Sequence, residues 1–149
     1  ENVHKLYSPF QGVLKPITEA PDEAFASKAM GDGYLVMPED GIVEAPEDGE
    51  VMFVFPIKHA IGLKAADGTE YLLHIGVDTV KLNGEGFTVF VSDGQKIKKG
   101  EKLMEFDPSY IREHAVSDVI FTGLTEGESL SLEGEKQVKR LELIGQIRK

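Results

Sequence analysis

The sequence predicts an all-β fold, an antiparallel β-sandwich or barrel with short helical segments. Glycine-containing turns recur about every 8–12 residues between short β-rich runs, the spacing of a sandwich or barrel. Two of these turns, Glu39-Asp40-Gly41 and Glu47-Asp48-Gly49, resemble each other, and Ser92-Asp93-Gly94 echoes them. The helical stretches are too few and too short to form layers of their own. A chain of 149 residues is one domain by default. It can bury about 68–70% of its unfolded surface, enough for a core without staples.

The elements follow in order. Residues 1–6 carry no clear period and read as an N-terminal tail or linker, with His4 solvated there; residues 7–149 read as a single domain. Ser8 to Leu14 forms a short strand. Asp22-Glu23 after Pro21 starts a helix of one or two turns, which Met30-Gly31-Asp32-Gly33 ends. Tyr34–Met37, Ile42–Ala45 and Val51–Phe55 are strands separated by the two related turns. Phe87–Val91 and Lys102–Phe106 are further strands. Asp107 caps a short helix with Pro108 in its first turn. Val119–Leu124, Glu128–Leu132 and Lys139–Ile147 complete the strands.

The most informative stretch is Lys58 to Val80, read as two strands joined at Asp67-Gly68. An Asp-Gly pair between apolar runs signals a two-residue type I′ hairpin. Ala66 then faces Thr69, His74 faces Ile61 and His59 faces Gly76. That register puts both histidines on one sheet face as diagonal neighbours, with Cα atoms roughly 7–8 Å apart. A three-residue loop would put them on opposite faces. On the second strand Tyr71, Leu73, Ile75 and Val77 form an apolar core face. Leu72, His74, Gly76 and Asp78 form the other.

Two neighbouring imidazoles support several chemistries. One accepts a phosphoryl group while the other donates to its oxygens. With Asp78 or Asp32 they would also suit a zinc site with an open position. Metallohydrolase chemistry has little support, because no HExxH motif occurs. There is no phosphate-binding P-loop and no Gly-x-Ser-x-Gly elbow. Lys96, Lys98, Lys99 and Lys102 read as a solvated patch, and His114 as structural or solvent-facing. The net charge of −10 argues against nucleic acid and anionic membrane surfaces, and suits a basic protein partner. The chain has no cysteine, which fits a reducing compartment. No apolar run is long enough to insert in a membrane. A biotinyl or lipoyl carrier would need a lysine hairpin tip, which is absent.

Gly68 to Val80, followed by Lys81 to Phe87, resembles the glucose-type enzyme IIA family of the bacterial phosphoenolpyruvate-dependent sugar phosphotransferase system. Ser8-Pro9-Phe10-Gln11-Gly12, Gly31-Asp32-Gly33, Pro46 to Val51, Lys58-His59-Ala60 and Asp93-Gly94-Gln95 follow in the family's order. The resemblance runs from about Leu6 to Lys149. It implies an antiparallel sandwich and a cytoplasmic phosphocarrier with a phosphohistidine intermediate. It implies that His74 is the phosphoacceptor through Nε2, with His59 beside it as the second catalytic histidine. Asp32 and Asp78 match acidic residues at the rim of a shallow apolar docking face, and Phe55 and Leu72 match apolar positions around it. The implied donor is the carrier HPr and the acceptor a cysteine of the cognate enzyme IIB domain. No cofactor is required, though some relatives bind regulatory proteins, occasionally with zinc shared between the two, which here would fall to His59 and His74. The alternative is a non-catalytic or zinc-assisted regulatory module that uses the two-histidine face for docking. In one respect the chain departs from the family. A threonine that orients an imidazole often stands two residues before the first histidine, and here that position is Ile57. The orienting bond to His59 must come from elsewhere or be lost.

Overall fold

The computed structural model describes residues 3–21, 23–28, 32–57, 59–77, 79–115, 117–124, 129–132 and 134–148. In chain order its strands are β1 Val3–Tyr7, β2 Gly12–Pro16, β3 Gly33–Pro38, β4 Ile42–Glu44, β5 Gly49–Val54, β6 Ala60–Ala65 and β7 Glu70–Val77. β8 Phe87–Val89, β9 Lys96–Ile97, β10 Lys102–Phe106, β11 Ser117–Leu124, β12 Ser129–Leu132, β13 Lys136–Val138 and β14 Leu143–Arg148 follow. The helices are α1, Glu23–Ala26, and α2, Pro108–His114; short 3₁₀ turns lie at Ile17–Glu19 and Thr79–Leu82. No helix among the described residues is long and apolar enough to cross a membrane.

An eight-stranded sheet runs β13-β2-β3-β11-β7-β6-β5-β9, and two three-stranded sheets run β1-β14-β12 and β4-β10-β8. The pairings are antiparallel. Alternation along the strands sorts their side chains into two layers. Leu14, Val36, Ile61, Leu73, Ile75 and Ile120 of the large sheet share one core with side chains of both smaller sheets, among them Leu6, Ile147, Val43 and Met104. Leu35, Val77 and Phe121 instead form a second buried cluster with Ile17, closed over by Ala20 and Phe25. The all-β expectation therefore holds, and the second cluster marks the opposite face of the large sheet.

Several expectations need correction. Residues 3–6 belong to a strand rather than a tail: β1 pairs along β14, from Val3 opposite Arg148 to Tyr7 opposite Leu143. His4 is accordingly buried rather than solvated. The strand expected over Lys139–Ile147 starts only at Leu143, as β14, because residues 139–142 form a turn that separates it from the short β13. That turn places Leu141 at φ 69° and ties its N–H to the Ser8 carbonyl at 2.6 Å. It carries no glycine or asparagine to announce it. The α2 expectation holds: the Asp107 carboxylate accepts from the Tyr110 N–H at 3.2 Å, the N-cap geometry.

The hairpin turn differs most. Ala65 N–H donates to Thr69 O at 2.8 Å and Gly68 N–H to Ala65 O at 2.9 Å, so Ala66, Asp67 and Gly68 form a three-residue loop. Gly68 alone of the three has a positive φ, at 93°. This is the pattern of a tight turn closed by a left-handed residue rather than a type I′ turn. Asp67 is otherwise engaged: its carboxylate accepts from the Thr69 N–H at 3.0 Å and also meets His4. The register slips by one residue, so His74 faces Ala60 and Leu73 faces Ile61.

Candidate functional site

Strict alternation in this register would send the two histidines to opposite faces, yet their rings meet. The imidazole centroids of His59 and His74 lie 4.9 Å apart with planes at 82°. His59 precedes β6, in a bend, where strand alternation no longer holds. Its carbonyl still accepts from the Ile75 N–H at 2.8 Å, which fixes the bend against β7. The rings are thus brought together by a bend ahead of the strand and not by diagonal pairing within a hairpin.

His74 sits mid-sheet, between Ala60 on β6 and Phe121 on β11. Its Nδ1 lies 3.1 Å from the Gly76 carbonyl oxygen. A carbonyl only accepts, so Nδ1 carries a proton; in the neutral ring the lone pair is then on Nε2. Gly76 has φ 76°, and a Cβ there would lie 2.7 Å from the Ser117 carbonyl oxygen, so both conformation and space call for glycine. Thr79 braces the same turn by donating from Oγ1 to the Ile75 carbonyl at 2.6 Å. The left-handed residue also ends the alternation of β7. Val77, expected on the face of Tyr71, Leu73 and Ile75, packs instead with Phe121 and Leu35.

His59 is 5% exposed. Burial pushes its pKa below the ordinary histidine value, so the ring is neutral at pH 7. Its Nδ1 is buried without a hydrogen-bond partner among the described residues. That agrees with the isoleucine at position 57, which has no hydroxyl to offer.

Aromatic rings enclose the pair. Phe55 lies 5.3 Å from the His59 ring, and Phe53 5.3 Å from Phe55. Phe25 of α1 lies 5.3 Å from His74 and stacks on Phe121 at 4.0 Å. Leu72, half-buried, faces Gly62 on one side and Gly123 on the other. A Cβ at Gly62 would lie 2.5 Å from the Phe53 ring, so glycine lets that ring settle on the strand. The face is apolar, with two imidazoles at its middle.

The remaining site candidates divide. Phe55 and Leu72 lie on this face. Asp32 is half-buried; its carboxylate accepts from the Gly33 N–H at 2.8 Å and lies 3.6 Å from Lys28 Nζ. Asp78 lies outside the described residues. No group of three His, Cys, Asp or Glu among the described residues is placed to hold a metal. Sequence reasoning missed Phe25, Phe53 and Phe121. The signal for Phe121 was Ile120-Phe121 within one strand, apolar on both faces and so covered on both. A cleft of about 620 Å³ lies elsewhere, among Asp48, Glu50, Lys64 and Lys96. It touches neither histidine.

Comparison with known proteins shows the family of the whole chain. Residues 4–130 match the family model described as phosphoenolpyruvate-dependent sugar phosphotransferase system, EIIA 1. The fold is similar to that of the glucose permease IIA from Mycoplasma capricolum. The TM-score is 0.91 at 31% identity, over 98% of this chain and 96% of that one. The chain belongs to the EIIA 1 family of the phosphoenolpyruvate-dependent sugar phosphotransferase system and is a phosphocarrier of that system.

Proposed function

We propose that His74 accepts the phosphoryl group from phospho-HPr on Nε2 and passes it to a cysteine of the cognate enzyme IIB domain. The hydrogen bond from Nδ1 to the Gly76 carbonyl carries this reading. It leaves the lone pair on Nε2 and places an acceptor where charge develops. As Nε2 attacks phosphorus, the phosphorus–nitrogen bond of the donor histidine breaks and its electron pair returns to the donor ring. The His74 ring then carries positive charge, which the Gly76 carbonyl stabilises through Nδ1–H. In the second step a thiolate attacks phosphorus, and the electron pair of the His74 bond returns to Nε2. Little covalent work falls to the rest of the protein, so positioning and charge stabilisation dominate.

His59 supplies the donor. Buried N–H groups without partners are rarer than under-satisfied acceptors, so its unpartnered Nδ1 is best read as the lone-pair nitrogen. The proton then sits on Nε2, from which it donates to a phosphoryl oxygen. The apolar rim of Phe25, Phe53, Phe55 and Leu72 excludes water while two proteins exchange the group. Asp32 and Asp78 are assigned to attracting basic partners, since a carboxylate repels a dianion. Zinc at this face would take one nitrogen from each histidine, and further ligands would come from Asp78 or from a partner.

Incubation with phosphoenolpyruvate, enzyme I and HPr should label the chain with acid-labile, base-stable phosphate. His74→Gln should abolish the label. His59→Gln should slow transfer to the IIB cysteine on the order of 10²-fold, the loss expected for one donor to transferring charge. Normal labelling of His74→Gln would overturn the assignment.

A further inference from the structure

The N-terminal strand carries a second histidine device, far in sequence from the first. Along β1, His4 and Leu6 point inward while Lys5 is exposed. His4 is 7% exposed and faces the apolar Ile147 on β14. Its Nδ1 lies 2.6 Å from Asp67 Oδ2, in the loop between β6 and β7. Its Nε2 lies 2.8 Å from Glu47 Oε2, in the turn before β5. One imidazole therefore joins three segments that are remote along the chain.

Carboxylates only accept, so both ring nitrogens must donate, and an imidazole donates from both only when protonated. We propose that His4 is a protonation latch: as an imidazolium it fastens the N-terminal strand to the two neighbouring turns, and on losing its proton it releases them. In the neutral ring one nitrogen presents a lone pair to a carboxylate oxygen at 2.6 or 2.8 Å. An attractive contact then becomes a repulsive one. β1 keeps its ladder to β14 and the burial of Leu6. Its first residues lose their tie to the rest of the molecule.

The two carboxylates that meet His4, of Glu47 and Asp67, both favour the charged ring. Near Glu47 stand the phenols of Tyr71 on β7 and Tyr34 on β3. Tyr71 donates to Glu47 Oε2 at 3.3 Å, and Tyr34 feels the charge of Glu47. Glu47 raises the pKa of His4, burial opposes it, and Asp67 adds to the rise. A pKa raised on folding gives stability that is fully present below the unfolded value of about 6.5. That stability is lost as pH rises through the folded value. The latch thus closes in mild acid and opens in base.

Hydrogen exchange of the full chain between about pH 5.5 and 8.5 tests it, with the protection of β1 amides taken relative to those of β10. That ratio should fall about tenfold for each unit by which the folded pKa exceeds the unfolded one. Its midpoint should match the titration of the His4 ring followed by NMR. His4→Asn should show a flat ratio, and Glu47→Gln should move the midpoint to lower pH. A ratio unchanged across the range in the unmodified chain overturns the proposal. So does the same fall in His4→Asn, or an unmoved midpoint in Glu47→Gln.

Discussion

Gly76 holds the His74 ring in place through a backbone angle. Its positive φ presents the carbonyl to Nδ1, and its missing Cβ leaves room for the Ser117 carbonyl. Gly76→Ala should destabilise the chain by about 2–3 kcal/mol, from left-handed strain plus a backbone clash. It should also lower the rate of labelling from phospho-HPr, because the acceptor of Nδ1–H is displaced. Urea unfolding measures the first effect and a phosphotransfer assay the second; a variant with native stability and rate would remove Gly76 from the site. At this scale the sequence was legible where a residue type is chemically rare. His74 and His59 stood out, and Ile57 raised the question of what orients His59, whose Nδ1 has no partner among the described residues. Phe25 and Phe121 did not stand out, because their contact with His74 crosses from α1 and β11 to β7. No local pattern encodes such a meeting.

The hairpin of β6 and β7 shows what propensity does at the scale of an element. Asp67-Gly68 promised a two-residue turn, but the Asp67 carboxylate is used by Thr69 and His4, and the loop takes three residues. The presence of a hairpin was legible; its register was not, because a contact from β1, which the sequence reads as tail, accompanies the longer loop. The histidines meet in spite of the slipped register, through the bend at His59. Gly68 is the mild counterpart of Gly76: its φ is 93°, yet nothing lies within 4 Å of a Cβ built there. Gly68→Ala should therefore cost about 1 kcal/mol from conformation alone. Its phosphotransfer rate should be unchanged. A loss as large as that of Gly76→Ala would show that the loop is crowded after all.

Across the whole molecule, turn spacing made the all-β class readable, while the allotment of strands to one large and two small sheets was not. That allotment rests on pairings between distant segments, such as β1 with β14, whose register only tertiary packing selects. The net charge of −10 was readable directly and has a kinetic meaning. If that field recruits a basic donor, as proposed for the acidic rim, kcat/KM for transfer from phospho-HPr should fall roughly tenfold between low salt and about 0.5 M. A flat salt profile would mean that charge does not recruit the donor.

The large sheet ends on strands of three residues, β13, and two residues, β9. Another chain seeking to extend it would find almost no free backbone to pair with. Such blunt ends guard a broad sheet against fibril-like stacking with its own copies. They also leave strand addition closed as a mode of recognition, so a partner protein must meet this sheet side chain to side chain, across its open surface.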